Sequence, residues 1–263
     1  MDKGILNGSV ALVTGGGGEI GGAIARRLAS EGAQVMVADV REAPARAVAE
    51  DITQAGGAAA WFAGDISNEA IARESVAKTT DAFGSLSILV NTAATVTEDG
   101  TVETISLDQW NNALAINLTA VFLMCKYAIP EIRHSGGGAV VNITSQLGQI
   151  GVPLRSPYTT TKAALMQFTK CLAVDYARDN IRANTLSPGG IDTERRMRRF
   201  KTREEARAAR GPSYLLGRLG TVDEVASASL FLASNESSFV TGTDLLCDGG
   251  FLAFKGKLTD EEK

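Results

Sequence analysis

The chain has 263 residues, of which 44% are hydrophobic and 21% are charged, so it can bury a substantial core. This composition excludes a disordered or collagen-like chain. The formal net charge of -4 gives no overall attraction to nucleic acid or to an anionic membrane, and neither is an expected partner. Since a single α/β domain often has roughly 250 residues, residues 1–263 are expected to form one domain.

Short β-branched or aliphatic runs alternate with longer amphipathic segments along the chain. This alternation is typical of βαβ units and predicts an α/β fold with a doubly wound, mostly parallel sheet flanked by helices. The predicted strands are Ser9–Thr14, Gln34–Asp39, Ala58–Gly64, Leu86–Asn91, Ala139–Thr144, Ile181–Ser187 and Thr243–Cys247. The predicted helices are Ile20–Ser30, Pro44–Ala55, Asn68–Phe83, Ser106–His134, Tyr158–Arg178 and Val222–Ala233.

Three cysteines, Cys125, Cys171 and Cys247, lie far apart in the sequence. They lack the short paired spacing of a metal or redox site, so no metal is expected. We expect all three to be buried small apolar side chains in a reducing, cytoplasmic environment. The start of the chain has no cationic segment followed by a long apolar one, and Asn117 and Thr119 interrupt the apolar run 114–124, so neither export nor a membrane span is expected.

The first chemical signal is the glycine-rich run from Thr14 to Gly21, which follows the first predicted strand and opens the first predicted helix. Glycines allow a tight turn and a close backbone approach, and the free N–H groups at a helix N-terminus favour a diphosphate. This context predicts dinucleotide binding. The expected contacts come from Gly15, Gly18, Glu19, Ile20 and Gly21.

The second signal is Asp39, which ends the second predicted strand about twenty residues after the glycine run, as in dinucleotide-binding folds. A carboxylate there accepts hydrogen bonds from the adenosine ribose hydroxyls and repels a 2′-phosphate. Asp39 therefore predicts NAD (NADH) as the cofactor, and the adjacent Val40 is a further expected cofactor contact. Arg41, two positions after Asp39, keeps NADP open as the alternative.

The third signal is the pair Tyr158 and Lys162, whose i,i+4 spacing puts a phenol and an ammonium on one face of a predicted helix. A nearby cation favours the phenolate form of a tyrosine, which suits general acid–base catalysis. Ser145 follows the preceding strand, thirteen residues before Tyr158, and Asn117 lies inside a long predicted helix.

Together these motifs resemble those of the short-chain dehydrogenase/reductase family over nearly the whole chain. Residues 14–21 resemble the family's TGxxxGxG loop and Asp65-Ile66 its acidic pair beside the adenine. Residues 91–94 (NTAA) are similar to its NNAG turn, and residues 188–193 to its PGxxxT segment beside the nicotinamide. The resemblance implies a single-domain Rossmann-type fold, a homotetramer, and cofactor contacts from Asp65, Ile66, Asn91, Ala93, Tyr158, Lys162, Pro188, Gly189, Ile191 and Thr193.

The resemblance also implies a catalytic tetrad of Asn117, Ser145, Tyr158 and Lys162. Tyr158 would exchange a proton with the substrate oxygen while the nicotinamide exchanges a hydride with the carbon. Lys162 would support Tyr158 and bind the nicotinamide ribose, Ser145 would orient the substrate oxygen, and Asn117 would hold a water that links Lys162 to solvent. The implied reaction interconverts a secondary alcohol and a ketone with NAD.

Two other functions stay open beside this dehydrogenase. An NADPH-dependent reductase of 3-oxoacyl thioesters on acyl-carrier protein has the same tetrad, and a dinucleotide-binding regulator would keep the fold without turnover. One residue departs from the family pattern, because Glu19 stands at its second glycine and brings a carboxylate near the dinucleotide phosphates. A positive φ at this position would cost a non-glycine residue on the order of 1 kcal/mol.

The substrate is expected to be a small alcohol or ketone, either neutral or anionic. Arg155 precedes Tyr158 by three residues and is either a reader of a substrate anion or a solvated or interface residue. Eight Lys or Arg residues crowd the stretch 194–210, within a predicted substrate loop at about 192–215. They form either a lid for an acidic substrate or a solvated helical face. The predicted pocket walls are Thr95, Gln146, Leu147, Ile150, Val152, Arg155 and Met197, beside Ser145.

Overall fold

The computed structural model describes residues 4–95, 97–194 and 200–254. Its strands are β1 (Val10–Thr14), β2 (Gln34–Asp39), β3 (Ala58–Ala63), β4 (Ile88–Asn91), β5 (Gly138–Ile143), β6 (Ile181–Pro188) and β7 (Asp244–Cys247). They form one parallel sheet in the order β3-β2-β1-β4-β5-β6-β7, which confirms the predicted doubly wound fold. The strand order reverses between β1 and β4, and ligands of such sheets bind beyond the carboxyl ends at this point.

The helices of the described residues are α1 (Glu19–Ser30), α2 (Glu42–Gln54), α3 (Glu69–Phe83), α4 (Leu107–Leu114), α5 (Ala120–His134), α6 (Ser156–Tyr176), α7 (Arg203–Arg210) and α8 (Val222–Ala233). A π-helical turn, Ala115–Thr119, joins α4 to α5, so the long helix predicted there contains an irregularity. The prediction had no separate helix at α7, because this helix buries Ala206 alone and shows no apolar stripe.

The core consists of two apolar layers, one on each face of the sheet. Successive residues of a strand point to opposite faces, so Val13 packs in the layer that includes Ile24 of α1, while Leu12 packs in the layer that includes Leu165 of α6. All of β1 is buried, as in the central strand of a parallel sheet covered by helices on both sides. The two layers hold the carboxyl ends of the strands at one edge, where the polar motifs lie.

The run 107–134, which spans α4 to α5, is long and apolar enough to cross a membrane by length and composition, with a mean hydropathy of 1.6 over its most apolar eighteen residues. Half of that window is buried within the structure. Val121, Met124, Ala128 and Ile132 pack in the same layer as Leu165. These apolar side chains are therefore accounted for by packing against the sheet.

The prediction that all three cysteines are buried is wrong for Cys171, which is exposed, and Cys247 is only partly buried. Helix α6 buries residues three and four positions apart, among them Thr169 and Leu172, and Cys171 lies beside this stripe on the outer face. Cys125 is buried as expected, and burial raises the pKa of its thiol to about 12. An apolar setting of this kind keeps a thiol protonated and unreactive.

Candidate active site

The loop between β1 and α1 is built for a close approach of backbone to ligand. Gly15 has a φ of +63°, and a Cβ there would lie 2.8 Å from the backbone N of Ala93, which follows β4. A Cβ on Gly21 would lie 2.3 Å from the carbonyl oxygen of Gly15. Helix α1 starts at Glu19, and its N-cap residue, Gly18, has no side chain to bind the first N–H groups. This cradle fits the diphosphate of a dinucleotide.

Asp39 lies where the sequence predicts the adenosine end of the cofactor site. It ends β2, is 7% exposed, and its Oδ2 accepts the N–H of Gly17 at 3.1 Å. Its Oδ1 accepts the backbone N–H of Arg41 at 3.0 Å and the Nε–H of Arg41 at 3.2 Å. The carboxylate is thus fixed between the glycine loop and Arg41, while the neighbouring Val40 is exposed.

The other predicted adenine contacts lie after β3. The carboxylate of Asp65 accepts the backbone N–H of Ser67 at 2.9 Å and its hydroxyl at 2.7 Å, and Ile66 is buried. The backbone N–H of Gly64 donates to the carbonyl of Asp39 at 3.0 Å. The structure therefore brings the two predicted acidic positions, Asp39 and Asp65, to the same end of neighbouring strands.

Glu19 carries no backbone strain, because the described non-glycine residues with positive φ are Leu154 and Asn180. The Oε2 of its exposed side chain accepts the backbone N–H of Glu194 at 2.9 Å. A carboxylate at the predicted diphosphate cradle thus ties α1 to the segment that follows Thr193. The family pattern, with glycine at this position, has no side chain to make this contact.

The side chain of Asn91 is buried and forms hydrogen bonds inside the sheet. It pairs in register with Thr14 of β1 and with Asn142 of β5, and it is 2% exposed. Its Nδ2 donates to Oδ1 of Asn142 at 2.8 Å, and Nδ2 of Asn142 donates to the hydroxyl of Thr169 on α6 at 2.8 Å. This row of buried amides fixes the position of α6 against the sheet.

Asn117 lies in the π-helical turn and is fully buried. Its Oδ1 accepts the backbone N–H of Thr95 at 2.8 Å, and its Nδ2 donates to the hydroxyl of Thr161 at 3.4 Å. The amide therefore links the loop after β4 to α6, one residue before Lys162. Single π turns are frequent at functional sites, because they re-aim one side chain of a helix.

The structure brings Tyr158 and Lys162 together beside the end of β5. Helix α6 begins two residues earlier than predicted, at Ser156, so Tyr158 lies in its first turn. The Nζ of Lys162, a residue that is 3% exposed, lies 5.8 Å from the centroid of the Tyr158 ring and donates to the carbonyl of Ile143 at 2.9 Å. Ser145 follows Ile143 by two residues, and its Oγ accepts the N–H of Leu147 at 3.2 Å.

The segment from Pro188 to Thr193 faces this group from β6. A Cβ on Gly189 would lie 2.8 Å from Oε1 of Gln146, which places the segment against the turn that carries Ser145. Ile191 is 5% exposed and Thr193 is 9% exposed. This flank of the predicted nicotinamide site is therefore buried and closely packed.

Arg155 has an acidic partner that the sequence did not indicate. Its Nε lies 2.8 Å from Oδ1 of Asp99, and the two side chains are 20% and 35% exposed. The backbone of Arg155 also pairs with Gly100 in a short parallel bridge. The ion pair holds the start of α6 to the loop after β4, and a separation of more than fifty residues left no local signal for it.

The described arginines of the basic run contact other side chains of the protein. Arg207 on α7 pairs with Asp192 at 2.6 Å, and the Nε of Arg203 lies 3.8 Å from the same carboxylate. The guanidinium of Arg210 lies over the ring of Phe200 at 5.9 Å. Met197 and its neighbours, residues 195–199, lie outside the described residues.

A cavity of about 220 Å³ lies beside Gly189 and Gly190, and Tyr214, Arg218 and Cys247 also line it. Arg218 is paired there with Glu224 at 2.6 Å. Neither Ser145 nor Tyr158 lines this cavity, so it lies apart from the predicted catalytic side chains.

A family model described as enoyl-(acyl carrier protein) reductase matches residues 17–252. The fold superimposes on a short-chain dehydrogenase/reductase of Burkholderia xenovorans with a TM-score of 0.90 and 35% identity, covering 96% of this chain and 100% of that one. The chain belongs to the short-chain dehydrogenase/reductase family. As a member of this family it is an oxidoreductase that works with a nicotinamide dinucleotide.

Two relatives in the family match this chain over almost its full length. The 2,5-dichloro-2,5-cyclohexadiene-1,4-diol dehydrogenase of Sphingobium indicum is 37% identical over 246 residues, 94% of this chain and 97% of that protein. The cis-4-hydroxycyclohexanecarboxylate dehydrogenase of Sinomonas cyclohexanicum is 37% identical over 244 residues, 93% of this chain and 96% of that protein.

The position of Glu19 leads to a prediction about cofactor affinity. Glu19→Gln keeps an acceptor for the Glu194 N–H and removes a negative charge near the diphosphate, so we expect NADH to bind about three- to tenfold more tightly at low ionic strength. The gain should shrink with added salt because an exposed charge is screened. NADH fluorescence titration measures both, with Glu50→Gln on the outer face of α2 as the control. An equal Kd for Glu19→Gln and the unmodified protein at low salt would show that this carboxylate does not act on the diphosphate.

Proposed function

We propose that the protein is an NAD-dependent dehydrogenase that interconverts a secondary alcohol and a ketone on a six-membered carbon ring. The observation that carries this proposal is the buried Lys162 ammonium, which lies 5.8 Å from the Tyr158 ring and is bonded to the end of β5 beside Ser145. The names of the two relatives, which specify a cyclohexadiene diol and a hydroxycyclohexane carboxylate, support a ring alcohol as the substrate class.

The proposed chemistry assigns one task to each side chain. A bound nicotinamide supplies or accepts the hydride. Tyr158 takes the proton from the alcohol oxygen during oxidation and returns it during reduction. Lys162 places a buried positive charge 5.8 Å from the centroid of the Tyr158 ring, where little water screens it. The hydroxyl of Ser145 holds the substrate oxygen without adding a competing charge.

Asn117 completes the proposed set as the residue that holds a water between Lys162 and solvent. Its amide is already fixed by Thr95 and Thr161, so it can present one orientation to such a water. Thr161 precedes Lys162 on α6, which brings this water site next to the ammonium. During oxidation a relay of this kind would carry to solvent the proton that Tyr158 takes from the alcohol, and during reduction it would supply that proton from solvent.

Asp39 supports NAD over NADP in this proposal. Its carboxylate is buried and anchored to Gly17, so it cannot turn away from a 2′-phosphate without loss of a bond to the glycine loop. Arg41 is drawn to the same carboxylate and is in part neutralised by it. These contacts disfavour the NADPH-dependent reductase of acyl thioesters, and the complete tetrad disfavours a silent regulator.

We further propose that the whole chain acts as one catalytic domain, with residues 192–215 as its substrate loop. Asp192 joins α7 to the end of the nicotinamide segment through Arg207. The chain is proposed to form a homotetramer, as the family resemblance implies. Exposed apolar side chains at Leu107, Phe122 and Val174, on α4, α5 and α6, support a subunit contact on that side.

The role of Tyr158 is tested by its replacement with phenylalanine. Tyr158→Phe removes only the transferable proton, so kcat for cyclohexanol oxidation should fall by about 100- to 10,000-fold while the Kd for NADH stays unchanged. Tyr176→Phe makes the same chemical change further along α6 and should retain full turnover. Appreciable activity in Tyr158→Phe would show that another group supplies the acid.

The role of Asp39 is tested through cofactor preference. Asp39→Ala removes the charge that opposes a 2′-phosphate, so the ratio of kcat/KM for NADP to that for NAD should rise by about 10- to 100-fold. Asp39→Asn keeps an acceptor for Gly17 and should shift the ratio in the same direction. Asp51→Ala, an exposed carboxylate on α2, is the control. An unchanged ratio in both Asp39 variants would remove this residue from cofactor selection.

The charge of the substrate is tested at Arg155. Because Asp99 already pairs with this guanidinium, Arg155→Ala should raise KM less than about tenfold, and equally for cyclohexanol and cis-4-hydroxycyclohexanecarboxylate. Asp99→Asn should reproduce the effect if the ion pair is what orders the start of α6. A KM increase confined to the carboxylate, absent from Asp99→Asn, would show instead that Arg155 binds a substrate anion.

A further inference from the structure

A carboxylate on the edge strand of the sheet points inward beneath the turn that carries Ser145. Asp244 opens β7 and pairs in register with Thr185 of β6. Its Oδ1 accepts the hydroxyl of Thr185 at 2.5 Å and the hydroxyl of Ser187 at 2.7 Å. Thr185 is 1% exposed and Ser187 is fully buried, so the edge carboxylate is bound into the interior.

This network extends one strand further, to the residue before Ser145. The hydroxyl of Thr144, a residue that is 3% exposed, lies 2.7 Å from that of Ser187 and 3.5 Å from Oδ1 of Asp244. The backbone N–H of Thr144 donates to the carbonyl of Leu186 at 2.8 Å. Thr144, which connects β5 to Ser145, is therefore held by both backbone and side-chain hydrogen bonds.

The second oxygen of Asp244 holds the other side of the same turn. Oδ2 accepts the Nε2–H of Gln149 at 2.6 Å, and Gln149 directly follows the 3-10 turn Gln146–Gly148. Gly148 packs on α6, where a Cβ would lie 3.0 Å from the backbone of Lys162. One carboxylate thus holds both flanks of the turn, and α6 supports its end.

We propose that Asp244 is a positioning residue for the reaction, which orients Ser145 toward Tyr158 by holding Thr144 and Gln149. The inference rests on the proposed role of Ser145. A carboxylate suits this position because it only accepts hydrogen bonds, and Thr185, Ser187 and Gln149 all donate to it. The N–H group of an asparagine would face either the Thr185 and Ser187 hydroxyls, which already donate, or Gln149, whose amide would have to turn over to accept it. Displacement of a reacting group by about 1 Å can cost about 100-fold in rate.

The first test compares variants of Asp244 and Gln149, the two partners of one hydrogen bond. Asp244→Asn should lower kcat for cyclohexanol with NAD by about 10- to 100-fold, while the Kd for NADH remains within about twofold. Gln149→Leu changes an exposed side chain, keeps the fold, and should lower kcat in the same sense by a smaller factor. Glu69→Gln is the matched control, because Glu69 also binds two donors, Lys126 and Tyr127, but lies on the outside of α3.

The second test separates positioning of Ser145 from general stabilisation of β7. In a Ser145→Ala background, Asp244→Asn should lower kcat by less than about threefold, since a residue that acts through Ser145 has nothing left to orient. Asp244→Asn combined with Gln149→Glu restores one donor–acceptor match and should recover most of the lost kcat.

Two results would overturn the inference: an unchanged kcat in Asp244→Asn, or a loss of equal size with and without Ser145. An unchanged kcat in Ser145→Ala alone would overturn the proposed role of Ser145 first and this inference with it, so the two failures are distinguishable.

Discussion

The bond from the Lys162 ammonium to the carbonyl of Ile143 joins the two elements that carry the predicted chemistry. It fixes α6, and therefore Tyr158, against the end of β5, from which Ser145 continues. A lysine that is 3% exposed is costly to bury, and such a charge is tolerated where acceptors surround it. The position of the cation thus defines both the geometry of the site and its electrostatics.

A row of polar residues runs across the same face of the sheet and supports this arrangement. Thr14, Asn91, Asn142, Thr185 and Asp244 are register neighbours on five adjacent strands. The amides of Asn91 and Asn142 connect β4 to β5 and then to Thr169 on α6, while Asp244 connects β7 to β6. Because buried polar groups must be satisfied, these bonds favour the observed register of β4 with β5 and of β6 with β7. The positions of the site residues at the strand ends therefore depend on polar bonds in the interior of the sheet.

Most of the fold could be predicted, because apolar periodicity is a local property and the helices and strands here are strongly periodic. The predicted strands end within two residues of those observed, and the motif at Tyr158 and Lys162 appears with its expected contact. The missed elements are those with weak patterns. Helix α7 has no apolar stripe, the π turn at Asn117 leaves no mark on composition, and the exposure of Cys171 depends on which face of α6 meets the sheet.

The sequence alone determined the family, the glycine loop and the spacing of the proposed tetrad, since these are short motifs whose chemistry depends on neighbours along the chain. The tertiary structure decided which side chains already have partners. Arg155 pairs with Asp99, Glu19 reaches Glu194, and Asp244 binds Gln149 from 95 residues away. Such contacts form because the sheet brings the ends of strands that are distant in sequence to one edge. The sequence pattern around each residue does not indicate which distant residue will lie beside it.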